Sequence, residues 1–302
     1  MRKDETENKI PEQDPVKLYT LHRSGIRPPV GKDAPVGIFD SGVGGLTVAR
    51  EIMRQIPAES IVYFGDTARV PYGSKSGETV IRYSRQNIRF LRSKGVKAIV
   101  IACNTASSYA LETVASESDI PVIGVIYAGA KTATAVTKNR KIGVIGTAGT
   151  ISSNIYAQVI HKMDPGISVY QKACPLLVAL AEEGMTRDPV TDEIAGRYLK
   201  ELKENGVDTL VLGCTHYPLL RSTIGKIMGD AVTLVNPAYE TALELKNLLG
   251  RENLLNDGKK ILCPEDKYEF FVSDLAEKFT DFASSILPNE VKNTRKIDIE
   301  EY

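Results

Sequence analysis

From Val36 onward, short apolar runs alternate with longer amphipathic stretches. The runs VGIF (36–39), IVYF (61–64), KAIVIA (97–102), PVIGVI (121–126), KIGVIG (141–146) and TLVLG (209–213) are rich in β-branched residues. Their apolar residues follow one another with little polar alternation. That pattern predicts strands buried on both faces, as in parallel sheets covered by helices. Between them, LTVAREIMRQI (46–56) and TVIRYSRQNIRFLRSKG (79–95) carry apolar residues at helical spacing. Helices are also predicted over 149–157 and 191–204, and a strand followed by a helix over 268–287. Short strands alternating with helices predict an α/β fold.

The two halves of the pattern match each other. GVKAIVIACNTA (95–106) has the layout of GVDTLVLGCTHY (206–217): Gly-Val, a strand, a small residue, a cysteine and a nearby threonine. Upstream, VGIFDSGVGG (36–45) resembles IGVIGTAGT (142–150). The separations are similar, 106 between Gly37 and Gly143 and 111 between Cys103 and Cys214. The halves therefore read as two copies of one α/β unit.

Composition narrows the function. The chain has 302 residues, 42% of them hydrophobic, and 38 basic residues balance 38 acidic ones. This balance argues against nucleic-acid or membrane-surface binding through bulk charge. No apolar run approaches the length of a membrane span. The charged start, MRKDETENKIPEQDP, has no secretory apolar core, so a cytoplasmic protein is expected. Residues 1–33 read as a weakly structured extension and residues 289–302 as a charged, frayed tail.

Four cysteines, Cys103, Cys174, Cys214 and Cys263, lie far apart without a C-x-x-C pair. That spacing speaks against a zinc site and a disulfide framework. Any one of them is ordinarily a small buried apolar residue. Cys103 and Cys214, however, occupy matched strand ends, where ligands bind in open α/β sheets. A helix starting there offers free N–H groups and partial positive charge, which lower a thiol pKa and suit a carboxylate. Two such thiols facing one cleft fit a two-base exchange at carbon: one removes a proton and the other returns one from the far face. Asn104, Thr105 and Thr215 add donors beside them. Asp40 and Ser41 read equally as helix capping or as participants, and His216 as packing or catalysis. Spacing alone makes Glu182 a solvated helix residue, and Tyr72-Gly73 part of a plain turn.

The stretches PVGIFDSGVGGLTV, VYFGDTARVPYG, IVIACNTAS, ACPLLVALAEEG and LVLGCTHYPLL resemble the glutamate racemases of the aspartate/glutamate racemase family, in order and spacing, from about Pro35 to Leu287. The resemblance implies two α/β domains about a pseudo-twofold axis, residues 34–127 with 237–288 and residues 128–236. It implies that Cys103 deprotonates D-glutamate with help from Asp40, and Cys214 deprotonates L-glutamate with help from Glu182 and His216. Substrate contacts would come from Asp40, Ser41, Tyr72, Gly73, Asn104, Thr105, Thr215 and His216. It further implies no pyridoxal phosphate, metal or nucleotide, a homodimer, and D-glutamate for peptidoglycan. A cell-wall precursor is the expected effector where members are regulated. His216 stands where aspartate-specific members tend to carry Glu, which favours glutamate.

Tyr127-Ala128 and Asn236-Pro237 depart from the Glu-Pro and Asp-Ser common in the family, both where the chain should cross between domains. Three competing readings remain. Gly42-x-Gly44-Gly45 after a strand raises a dinucleotide site, although the spacing is not G-x-G-x-x-G and Asp40 would crowd a pyrophosphate. The others are a binding protein without turnover and a racemase acting on aspartate or on many amino acids.

Overall fold

The computed structural model describes residues 30–259, 267–274, 276–288, 291 and 294–302. Residues 1–29 of the expected extension, and Cys263, lie outside them. Among the described residues, ten strands form two parallel sheets. The first orders β10(Thr294–Lys296)-β9(Tyr268–Val272)-β2(Ile61–Gly65)-β1(Val36–Asp40)-β3(Ala98–Ile101)-β4(Val122–Gly124). The second orders β6(Ser168–Ala173)-β5(Lys141–Gly146)-β7(Thr209–Gly213)-β8(Thr233–Val235). The order β2-β1-β3-β4 thus recurs as β6-β5-β7-β8, and the repeat in the sequence is a repeat in topology. Strands β1, β2, β3, β4 and β7 are buried at every position. Their continuous apolar runs follow from helices covering both faces.

Two helices join the halves. PVIGVI is not one strand: β4 stops at Gly124, and Val125–Val136 is helical. This helix packs against Pro237–Arg251, which follows β8. A Cβ on Gly129 would lie 2.9 Å from the Pro237 ring, so the crossing needs a glycine. Asn236 caps the second helix by accepting from Ala238 N–H at 3.1 Å, with Pro237 in the first helical position, where a missing N–H costs nothing. The Asn-Pro departure is therefore a working helix start at the crossing.

Residues 294–302 are not a frayed tail. β10 pairs in parallel with β9, Ile299 is buried, and the Tyr302 ring packs edge-on against Phe90 at 5.3 Å. The helix predicted over 149–157 is broken at Asn154, whose left-handed backbone separates Ala148–Ser152 from Ile155–Met163. Asn is among the few side chains that adopt that conformation readily.

Candidate active site

Cys103 and Cys214 line one cavity of ≈ 290 Å³ between the sheets. Each follows its strand at the carboxyl end, as the repeat predicts. Ser41, Tyr72, Gly73, Asn104, Thr105, Thr215, His216 and Glu182 also line it. Asp40 does not: it lies beneath, with its neighbours Ser41 and Gly42 forming the surface.

On the first side, Cys103 caps the helix Asn104–Tyr109, its sulfur accepting from Ala106 N–H at 3.4 Å. Ser41 Oγ lies 3.6 Å from the sulfur. Asp40 is fully buried, and its Oδ2 accepts from Gly42 N–H at 3.0 Å, while Oδ1 has no hydrogen-bond partner. Burial raises the Asp40 carboxyl above its ordinary range, and the nearby His216 charge and loop N–H groups offset this only in part. Cys103 does not behave as its helix position predicts. Burial, then the Asp40 charge, push its thiol up to about 12 despite the Ala106 N–H. A helix of six residues is a weaker influence here than desolvation.

The second side is built differently. Cys214 Sγ lies 3.7 Å from His216 Nδ1, and His216 Nε2 lies 2.9 Å from Glu182 Oε1. Burial opposes the charged imidazole, but the hydrogen bonds to Cys214 and Glu182 outweigh it and raise His216 to about 10. The arrangement therefore favours the protonated imidazole beside Cys214. Glu182 ends the helix Leu176–Glu182 and is 43% exposed, so this chain of groups reaches solvent. A Cβ on Gly44 would lie 2.4 Å from Thr215 Oγ1 and 2.6 Å from His216 Nδ1, so the loop after β1 presses directly on this pair.

Several contacts were not legible beforehand. Thr105, Thr147 and Thr150 hydroxyls meet at 2.8–3.2 Å and tie the halves together. Tyr156 donates to Asn104 Oδ1 at 2.8 Å. Thr147 had a signal in the sequence, since it occupies the repeat position of Ser41. Tyr72 turns its phenol away from the cavity, to Asp66 and Asn87, leaving its backbone and Gly73 at the wall. Pro175, Val178 and Ala179 complete an apolar wall. Among the described residues lining the cavity none is Lys or Arg, so an anion there would be held by neutral donors and His216. Cys174 is buried in the second core with its thiol 3.6 Å from Lys172 O, and does not line the cavity. Among the described residues no cluster of His, Cys, Asp or Glu has metal-binding geometry, and no helix is long and apolar enough to cross a membrane.

The profile of the Asp/Glu/Hydantoin racemase family matches residues 37–243. The chain belongs to this family. It is an isomerase. The glutamate racemase of Geobacter metallireducens is 48% identical over 265 residues, covering 88% of this chain and 97% of that protein. The glutamate racemase of Francisella tularensis, solved with D-glutamate, superposes with a TM-score of 0.82 at 38% identity, covering 90% of this chain and 100% of the other. That of Escherichia coli, solved with L-glutamate and the activator UDP-MurNAc-Ala, gives 0.74 at 27% identity, covering 87% and 98%. The two-sheet architecture is thus that of solved glutamate racemases.

Proposed function

We propose that this enzyme interconverts L- and D-glutamate by proton exchange at Cα between two thiols. One observation carries the reading: two cysteines from equivalent strand ends of a duplicated fold line the same cavity, each with its own polar partner. From L-glutamate, the Cys214 thiolate takes the Cα proton, breaking C–H and forming S–H. The electron pair delocalises into the α-carboxylate. Cys103 then gives its proton to the opposite face and is left as the thiolate. The reverse turnover, or exchange with water, restores the starting form.

The site is poised for the L-to-D direction. A protonated His216 supplies the counter-charge that a Cys214 thiolate needs, while burial and Asp40 keep Cys103 protonated and ready to donate. Ser41, Asn104, Thr105, Thr215 and the Gly73 backbone face the space that the two carboxylates would occupy. The relatives described above act on glutamate, and the neutral donor set suits an amino acid better than a nucleotide pyrophosphate.

On the same reading the enzyme works in the cytoplasm as a homodimer and makes D-glutamate for peptidoglycan. A muramyl nucleotide is the effector to test, by analogy with the Escherichia coli relative. The test is incubation of the purified protein with L-glutamate in heavy water without added cofactor. Optical rotation should decay to zero, with deuterium at Cα of the D-product. A folded protein that neither racemises nor exchanges, with or without the muramyl nucleotide, would refute the reading. Faster turnover of aspartate would move the substrate.

A further inference from the structure

The cavity wall formed by Val70–Ser74 is held from behind by a network centred on Arg69. The Arg69 side chain is 9% exposed, and every edge of its guanidinium is engaged. Nε donates to both Asp66 oxygens at 3.0 and 2.8 Å, and Nη2 to Asn87 Oδ1 at 3.2 Å. Nη1 is shared between Gln86 and Glu300, the latter at 3.3 Å, and the plane lies 4.1 Å from the Tyr83 ring centroid. Asp66 in turn accepts from the Tyr72 hydroxyl, so one carboxylate joins Arg69 to the residue beside Gly73. Gly73 itself is pressed against Thr147 of the other half, where a Cβ would lie 2.6 Å away.

Glu300 reaches this network from the far edge of the first sheet. It sits on the turn Ile299–Glu301, following the edge strand β10. Its second oxygen accepts from Gln86 at 3.1 Å, closing a ring with Arg69. Ile299 is buried in the same core as Tyr72, and Tyr302 packs on Phe90 there, so the turn is anchored independently of its charge.

We propose that Arg69 is a positioning residue for the substrate loop Val70–Ser74, and that the segment Thr294–Tyr302 acts on the loop through it. The proposal rests on the cavity being the glutamate site. Neither residue touches the cavity, so the effect falls on binding rather than on proton transfer. A lysine at 69 keeps the charge but cannot make the forked contacts. Arg69→Lys should raise KM for glutamate about tenfold while kcat stays within about threefold of wild type. Glu300→Gln, at an exposed position that does not threaten folding, should raise KM about threefold. A purely structural role would lower the melting temperature and leave KM unchanged.

The deciding measurement pairs these kinetics with amide hydrogen exchange over residues 70–76. Exchange there should accelerate in both variants, with little change in β3 or β7. Unchanged loop exchange and unchanged KM in folded Arg69→Lys and Glu300→Gln proteins would overturn the proposal. Faster loop exchange in variants of a protein whose wild type fails to turn over glutamate would uphold the coupling and refute the assigned substrate instead.

Discussion

The two sides of the cavity share a strand order and a cysteine position but not an electrostatic design. At the end of β1 stands Asp40, buried, with one oxygen unpartnered. The equivalent end of β5 is Gly146, which carries no side chain at all. The second side takes its charged groups from elsewhere: His216 from the loop after β7, and Glu182 from a helix that leads to solvent. Duplication supplied two thiols in matched places, and divergence gave them unlike neighbours. One thiol is backed by a buried acid and holds its proton. The other faces a cation with an outlet to water. A reaction that must take a proton on one face and give one on the other gains from that inequality.

The comparison breaks first at the thiols. Cys103→Ala and Cys214→Ala should each lower racemisation by at least about 10³-fold, since neither sulfur reaches both faces. Near wild-type racemisation in either folded variant would end the two-thiol reading. The serine variants sharpen it. Loss of HX from a substituted glutamate needs only deprotonation, so each should process one enantiomer and not the other.

The helpers come next. Asp40→Asn and His216→Asn should each cost roughly 10- to 100-fold in kcat, below a full acid–base loss. Enantiomers have equal free energy in water, so kcat/KM must fall equally in both directions. The asymmetry can only show as a split in kcat, with His216→Asn hitting L-to-D harder and Asp40→Asn hitting D-to-L harder. The same kcat loss in both directions for both variants would remove the assignment of helpers to sides.

The pH dependence should divide the sides more gently. His216 is raised from 6.5 to about 10 by its partners, so its charge is lost as pH climbs through about 10. Because the folded value exceeds the unfolded one, the stability it brings is complete below about pH 6.5 and disappears by about pH 10. Thermal melts between pH 7 and 10.5 should show a decline that His216→Asn largely removes. L-to-D kcat, which follows the folded enzyme alone, should fall only as pH nears about 10, while the Cys103 thiol, near 12, stays protonated. A melting profile unchanged by the substitution would mean that the imidazole is not held as a cation.

Least affected should be Cys174→Ala. Its sulfur is buried in the core of the second half, outside the cavity lining, so the expected cost is roughly 1 kcal/mol of stability and no loss of turnover. A folded Cys174→Ala protein without activity would extend the site beyond the two matched cysteines.

The sequence displayed the buried apolar strands well, the edge strand β4 among them, and the polar or very short strands poorly. β1, β3, β5 and β7 are buried apolar runs, and their pattern is unmistakable. β6 reads SVYQKA with no fully buried position, β8 has three residues, and β10 is TRK. An edge strand pairs on one side and faces water, so the polar residues that suit it erase the signal. The cysteine pair was legible because duplication placed it twice. The Cys103 thiol's raised pKa was not, because desolvation depends on what closes over a residue rather than on what adjoins it in sequence. For the same reason Glu182 looked solvated: only the fold brings it within 2.9 Å of His216. Arg69 gave no hint, since its partners at 86, 87 and 300 are assembled by packing alone.

The seam between β2 and β9 carries a consequence for how the molecule is made. Thr67 and Asp274, paired across it, are 207 residues apart. The four strands of the second sheet all lie within the intervening chain. As the polypeptide emerges from the ribosome, β1 to β4 appear first, with the β9 side of β2 bare. The second sheet can then close on itself before β9 is synthesised. Through that interval the edge of β2 presents unpaired backbone N–H and C=O groups that β9 later takes up. A folding assistant that shields this edge would act from the emergence of β2 until the arrival of β9.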